Sequence, residues 1–144
     1  MKRSKRLLSI IKIAERAEQE SAKRLAASRQ TLNQYQQQLK MLDMYLDDYF
    51  QKLSKIKAQG QLLNHQTLKT YQDFILTIEQ GIKRQNQLVS DAQTVIKQQE
   101  QQWREAHAKV ESFKHLQQKF KNEEDRELDR QEQRMIDDYV SRPR

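Results

Sequence analysis

Side chains able to do chemistry are few in this chain and badly spaced for it. There are three histidines, His65, His107 and His115, and no cysteine in 144 residues. None of the histidines stands in a His-Glu-x-x-His helix or near a second ligand at metal spacing, so no metal is expected and each reads as a solvated helix position. The two glycines, Gly60 and Gly81, are too sparse to build a phosphate-cradling loop. Without cysteine there is neither a disulfide framework nor a thiolate nucleophile. No enzyme and no cofactor is expected; what remains to carry function is the placement of charged and aromatic side chains.

Those side chains must be positioned by helices. Leu25, Leu32, Leu39, Leu46 and Leu53 alternate at steps of three and four with Ser28, Tyr35, Leu42, Tyr49 and Ile56. A mean spacing of 3.5 residues keeps one apolar stripe on a slightly underwound helix, the mark of a coiled-coil seam. Extended backwards, the register takes in Leu7, Ile11, Ala14, Glu18 and Ser21, so the early end of the seam is expected to be weaker than its middle. A second seam runs from Tyr71 through Ile75, Ile78, Ile82, Gln85, Val89, Ala92, Ile96, Gln99, Trp103, Ala106, Val110, Phe113 and Gln117 to Phe120. It starts one residue out of phase with the first. Gly60 offers a C-cap, and Asn64 or Thr67 an N-cap, at the break between them.

Two matched seams joined by a short connection make antiparallel neighbours. The expected fold is all-α: one two-helix antiparallel coiled-coil hairpin, monomeric, with helix 1 at about 3–58, a turn at about 59–66, helix 2 at about 67–138 and a frayed tail at 139–144. Residues facing one another should have numbers summing to about 126. Residues 126–144 then overhang, alternating acid and base, with only Leu128, Met135, Ile136 and Tyr139 to bury.

Charge is uneven. Residues 1–29 carry Lys2, Arg3, Lys5, Arg6, Lys12, Arg16, Lys23, Arg24 and Arg29 against Glu15, Glu18 and Glu20, nearly all of the net +7. Cations at a helix N-terminus oppose its macrodipole, so local stability does not explain them; a solvated face and a basic tip presented to an acidic partner are the two readings open. The aliphatic run Leu7–Ile11 is broken by Lys12, too short for a secretory signal or a membrane span, and a cytoplasmic protein is expected. A nucleic-acid-binding zipper is the rival reading. Its basic region would be polar all round, whereas here Leu7, Leu8, Ile10, Ile11 and Ile13 interrupt the cations.

The two sides of the seam differ. One flank holds Arg29, Gln36, Asp43, Phe50 and Lys57 with Glu79, Asn86, Gln93, Glu100 and His107, and is mostly polar. The other holds Gln38 and Tyr45 with Phe74, Gly81, Leu88 and Val95, so aromatic and aliphatic groups spill out beside the core. Gly81 is expected to make room for Tyr45 or for a partner, since a helical glycine costs about 1 kcal/mol. A patch of this kind, with aromatic anchors and little charge, marks a protein interface.

The stretch from Gln38 to Tyr49 (QLKMLDMYLDDY), residues 71–82 (YQDFILTIEQGI) and residues 102–113 (QWREAHAKVESF) resemble the FliJ family of flagellar type III export proteins. The resemblance covers nearly the whole chain. It implies a hairpin similar to the rotor stalk of rotary ATPases, with the end where the termini meet inserted into the hexameric export ATPase FliI, a patch contacting the export gate FlhA, and escort of export chaperones. Carried over by position, the gate-contacting residues would be Gln38, Leu42, Tyr45, Tyr49, Phe74, Ile78, Gly81 and Gln85. Leu42, Tyr49 and Ile78 double as seam residues. For the ring, Lys5, Arg6, Arg16, Arg126, Arg130, Arg134 and Tyr139 are the candidates. The stalk protein of an injectisome secretion system shares this architecture and is the alternative. A doubled-back chain requires spin labels at residues 10 and 115 to lie close together within one molecule, and a long intramolecular distance would remove the bend.

Overall fold

The computed structural model describes residues 2–58 and 65–142. Among them are two helices, α1 (Arg3–Ala58) and α2 (His65–Ser141), and no strand. Long helices follow from a composition rich in glutamine, leucine, lysine and glutamate and nearly free of glycine and proline. No helix among the described residues is long and apolar enough to cross a membrane.

The expected caps at Gly60 and Asn64 lie outside the described residues. Thr67 is not an N-cap: α2 starts at His65, and Thr70 Oγ1 already donates to the Gln66 carbonyl at 2.9 Å, a bond made across one helical turn. At the other end α2 continues through Tyr139 to Ser141, where fraying was expected from residue 139. Gln133 Nε2 donates to Asp137 at 3.0 Å, and Ser141 Oγ donates to the Asp137 carbonyl. These one-turn bonds keep the final turns closed.

All fifteen seam positions on each helix are buried or half-buried, and within each unit the contacts run antiparallel: Arg3 with Phe120 and Glu18 with His107, then Tyr35 with Gln85 and Tyr49 with Tyr71. By contacts the chain divides into a terminal unit, Met1–Lys23 with Glu100–Arg144, and an inner unit, Arg24–Gln99. In the terminal unit Leu7, Ile11, Ala14 and Val110 form the buried core, and Ser21 is only 2% exposed. Glu18 meets His107, Glu15 meets Lys114, and the Arg3 guanidinium lies over the Phe120 ring. In the inner unit Leu25, Ile75, Ala92 and Ile96 are buried, Leu42 faces Gly81, and Tyr49 meets Tyr71.

Depth of burial departs from the expectation of a strong middle and a weak early end. On α1 the fully buried positions are Ser4, Leu7, Ile11, Ala14, Ser21 and Leu25, whereas Leu32 to Ile56 along the leucine seam are only half-buried. Short side chains at Ser4, Ala14 and Ser21 are covered completely by their neighbours. Leucine and tyrosine protrude further, and one facing helix cannot cover their flanks. Hydrophobicity alone therefore misranks the positions.

Ser4 ties the start of α1 to α2. Its amide, one of the orphan donors of a helix N-terminus, donates to Glu124 Oε1 at 3.2 Å, and its hydroxyl donates to Glu124 Oε2 at 2.7 Å. Gln117 Nε2 donates to the Ser4 carbonyl at 3.1 Å. The first turn of α1 has no acidic residue of its own, so Glu124 supplies from the other helix the negative charge that the macrodipole favours there. The Ser4 hydroxyl bond, followed by the Ser4 amide and the nearby Lys2 and Lys121, holds the Glu124 carboxyl below its ordinary pKa.

Two predictions follow from these contacts. The buried Ser21 hydroxyl has no hydrogen-bond partner among the described residues, and an unsatisfied buried polar group costs about 1–3 kcal/mol. Ser21→Ala should therefore raise stability by about 1 kcal/mol in chemical denaturation; a loss would show that the hydroxyl is satisfied. A carboxylate whose native pKa is lowered stabilises the fold above its unfolded pKa and ceases to do so as pH falls through the native value. Glu124→Gln should destabilise at neutral pH and be indistinguishable from the parent in acid, and a pH-independent difference would sink the assignment.

Candidate protein-docking surfaces

In the inner unit Tyr45 and Phe74 stand on one flank of the seam, Tyr49 and Tyr71 lie in the seam beside them, and Phe50 stands exposed on the other flank. Tyr49, half-buried in the seam, stacks on Phe74 with centroids 5.7 Å apart and meets Tyr71 edge-on at 6.0 Å. Lys52 Nζ lies 5.7 Å from the Tyr49 ring centroid and pairs with Asp48 at 3.1 Å, an acid that raises the lysine pKa. Phe74 remains 49% exposed despite the stack. Tyr45 is 52% exposed and makes no hydrogen bond or ring contact with another described residue. Met41, Leu88 and Val95 are also exposed, and the last two line a shallow groove of about 260 Å³ with Ser28, Thr31, Tyr35, Asp91 and Ala92.

Gly81 does not accommodate Tyr45. A methyl group at residue 81 would meet only the two Leu42 methyls, each at 3.9 Å, which is ordinary contact. The facing residue is thus Leu42, because the pairing sum runs slightly below 126 in this unit. Packing within the chain therefore gives no reason for glycine over alanine at this position.

Gln85, one of the positions carried over for the gate, has a structural role that the sequence did not show. It is 9% exposed, and its Nε2 donates to the Tyr35 carbonyl at 2.9 Å and to Gln38 Oε1 at 3.0 Å. It is a buried clip between the helices that also orients Gln38, and it is not itself presented to solvent. Its polar intrusion at a seam position was the available signal. Of the eight positions carried over for the gate, Gln38, Tyr45 and Phe74 are exposed, Leu42, Tyr49, Ile78 and Gly81 are half-buried, and Gln85 is buried. All eight lie in the inner unit.

The residues carried over for the ring are in the terminal unit. Lys5, Arg6, Arg16, Arg126, Arg130, Arg134 and Tyr139 are all exposed. Beyond Glu124 every described residue of α2 is exposed, including Leu128, Met135, Ile136, Tyr139 and Val140. Arg130 pairs only with its neighbour Glu127 at 3.6 Å. The overhang is a solvated helix carrying an unpartnered apolar patch.

His107 is a solvated helix position, as expected, and it also makes contacts that the sequence did not show. Its Nδ1 lies 2.9 Å from Glu18 Oε1, and its ring stacks on Trp103 at 5.2 Å with an interplanar angle of 12°. It links the two helices. No group of three or more histidine, aspartate or glutamate side chains among the described residues could hold a metal ion.

No curated protein and no solved structure matches this chain. One family does. The profile described as flagellar FliJ protein matches residues 3–143, both helices and the overhang included, and the chain therefore belongs to the flagellar FliJ protein family, whose members are associated with flagellar export.

Proposed function

We propose that the chain is a non-enzymatic stalk of the flagellar type III export apparatus, at the cytoplasmic face of the inner membrane. Its inner unit binds the export gate FlhA, and its terminal unit binds the hexameric ATPase FliI. The observation that carries this reading is the one-sided patch around Tyr45 and Phe74. Tyr45 is half in solvent and makes no hydrogen bond or ring contact with another described residue, and glycine stands at 81 where alanine would fit. Aromatic side chains of this kind are the usual anchors of protein interfaces.

At the terminal unit the exposed overhang offers Arg126, Arg130, Arg134 and Tyr139, while α1 adds Lys5, Arg6 and Arg16. Contact of this charged end with one pair of ring subunits at a time promotes ring assembly and ATP hydrolysis, and gate binding couples the ring to the exporter. Export chaperones are further partners on this reading. The stalk acts by binding and holds no reacting group.

Tyr45→Ala and Phe74→Ala should each weaken gate binding by about 1–2 kcal/mol without loss of helicity. Tyr45 is the cleaner test because Phe74 also supports Tyr49. Gly81→Ala should stabilise the helix by up to about 1 kcal/mol while weakening gate binding. Calorimetric titration beside thermal melts separates the two effects: binding that only tracks stability makes the patch core. Adding the chain to FliI should raise hydrolysis and hexamer content, and no change in either would end the ring proposal.

A further inference from the structure

The outward face of α1 in the terminal unit has a use that neither the hairpin nor the gate patch requires. On a helix with 3.6 residues per turn, Lys5, Lys12, Ile13 and Arg16 fall opposite the buried Leu7, Ile11 and Ala14. Arg6 and Lys23 extend the same face, and Leu8 and Ile10 border it on either side. The side chains of Lys5, Arg6, Lys12, Arg16 and Lys23 make no hydrogen bond or ion pair with another described residue. Two of the nearby acids are turned towards α2, Glu15 to Lys114 and Glu18 to His107, which leaves Glu20 as the acid of that face. Among these cations Ile13 is 68% exposed, Leu8 47% and Ile10 43%.

Lys5 and Arg6, close to the positive end of the helix dipole, are destabilising where they stand, and Leu8, Ile10 and Ile13 together expose apolar surface among the cations. An anionic surface with an apolar layer beneath it satisfies both. A polyanion such as nucleic acid meets the charges and leaves Ile13 without an environment. Moreover, the cations are strung along about 27 Å of a convex helix face, and a plane of mobile headgroups neutralises them without a matched acid at each position.

We propose that this face docks on an anionic phospholipid surface. α1 lies in the plane of the interface, with Lys5, Arg6, Lys12 and Arg16 among the headgroups and Ile13 and Ile10 entering the boundary with the acyl chains. The contact goes beyond the stalk reading, which places the chain at the membrane only through its protein partners. Lys5, Arg6 and Arg16 are shared with the proposed ring surface, so ring and bilayer compete for them.

The test is co-flotation of the full chain with vesicles of phosphatidylcholine alone and of phosphatidylcholine mixed with phosphatidylglycerol. The chain should float with the anionic vesicles alone, and less so as salt rises. The combined Lys5→Gln, Arg6→Gln, Lys12→Gln and Arg16→Gln variant should lose about a hundredfold or more in partitioning, since each basic residue near such a surface contributes about fivefold. Ile13→Gln should lose several-fold while keeping full charge, and circular dichroism should show both variants as helical as the parent. Equal recovery with both vesicle types overturns the proposal. So does unchanged binding of Ile13→Gln together with equal affinity for duplex DNA, which would make the face a general polyanion site. Loss of FliI stimulation in the combined variant with no vesicle binding by the parent assigns the face to the ring alone.

Discussion

A single seam shared by two helices is the constraint behind the rest of the structure. Each helix can hide one stripe, because it has one neighbour, and any apolar group off that stripe remains in water. Leu7, Ile11 and Val110 use the seam fully, while Tyr45, Phe74, Leu88 and Val95 are left outside it. In a globular domain a third element would cover such residues. Here exposure of the flank is built into the architecture, and this is why apolar residues beside the seam carry functional information that core residues do not.

Much of this was legible in the sequence. The 3.5-residue period identified every buried or half-buried seam position on both helices, because a periodic stripe has one geometric solution once a partner helix exists. The asymmetry of the two flanks followed from the same register. What the period does not encode is how deeply each position is covered. Ser21 ranks among the most buried residues and Leu39 is half-buried, since depth depends on the lengths of the facing side chains as well as on polarity. The contacts of Gln85 and His107 were not legible for a related reason. Their roles are set by the Tyr35 carbonyl and by Glu18, acceptors on the other helix that no local pattern reveals.

The ends of the helices show the same division between local and cross-helix information. Charge composition marked the beginning of α1 as a place where cations oppose the dipole, and nothing nearby in the chain relieves it. Relief comes from Glu124, 120 residues away, which accepts from both Ser4 donors. One carboxylate at the helix start offsets part of the repulsion and leaves the outward cations unpaired. The fold itself gives those charges no counterion.

Gly81 makes the corresponding argument for the inner unit. Where a glycine relieves a clash, substitution harms folding and reveals little about function. Here the space beyond its α-carbon is bounded by Leu42 methyls at 3.9 Å, so the chain would pack as well with alanine and would lose less entropy on folding. The missing methyl lies between Phe74 and Leu88 in seven-residue steps along one flank, in line with the exposed aromatic groups.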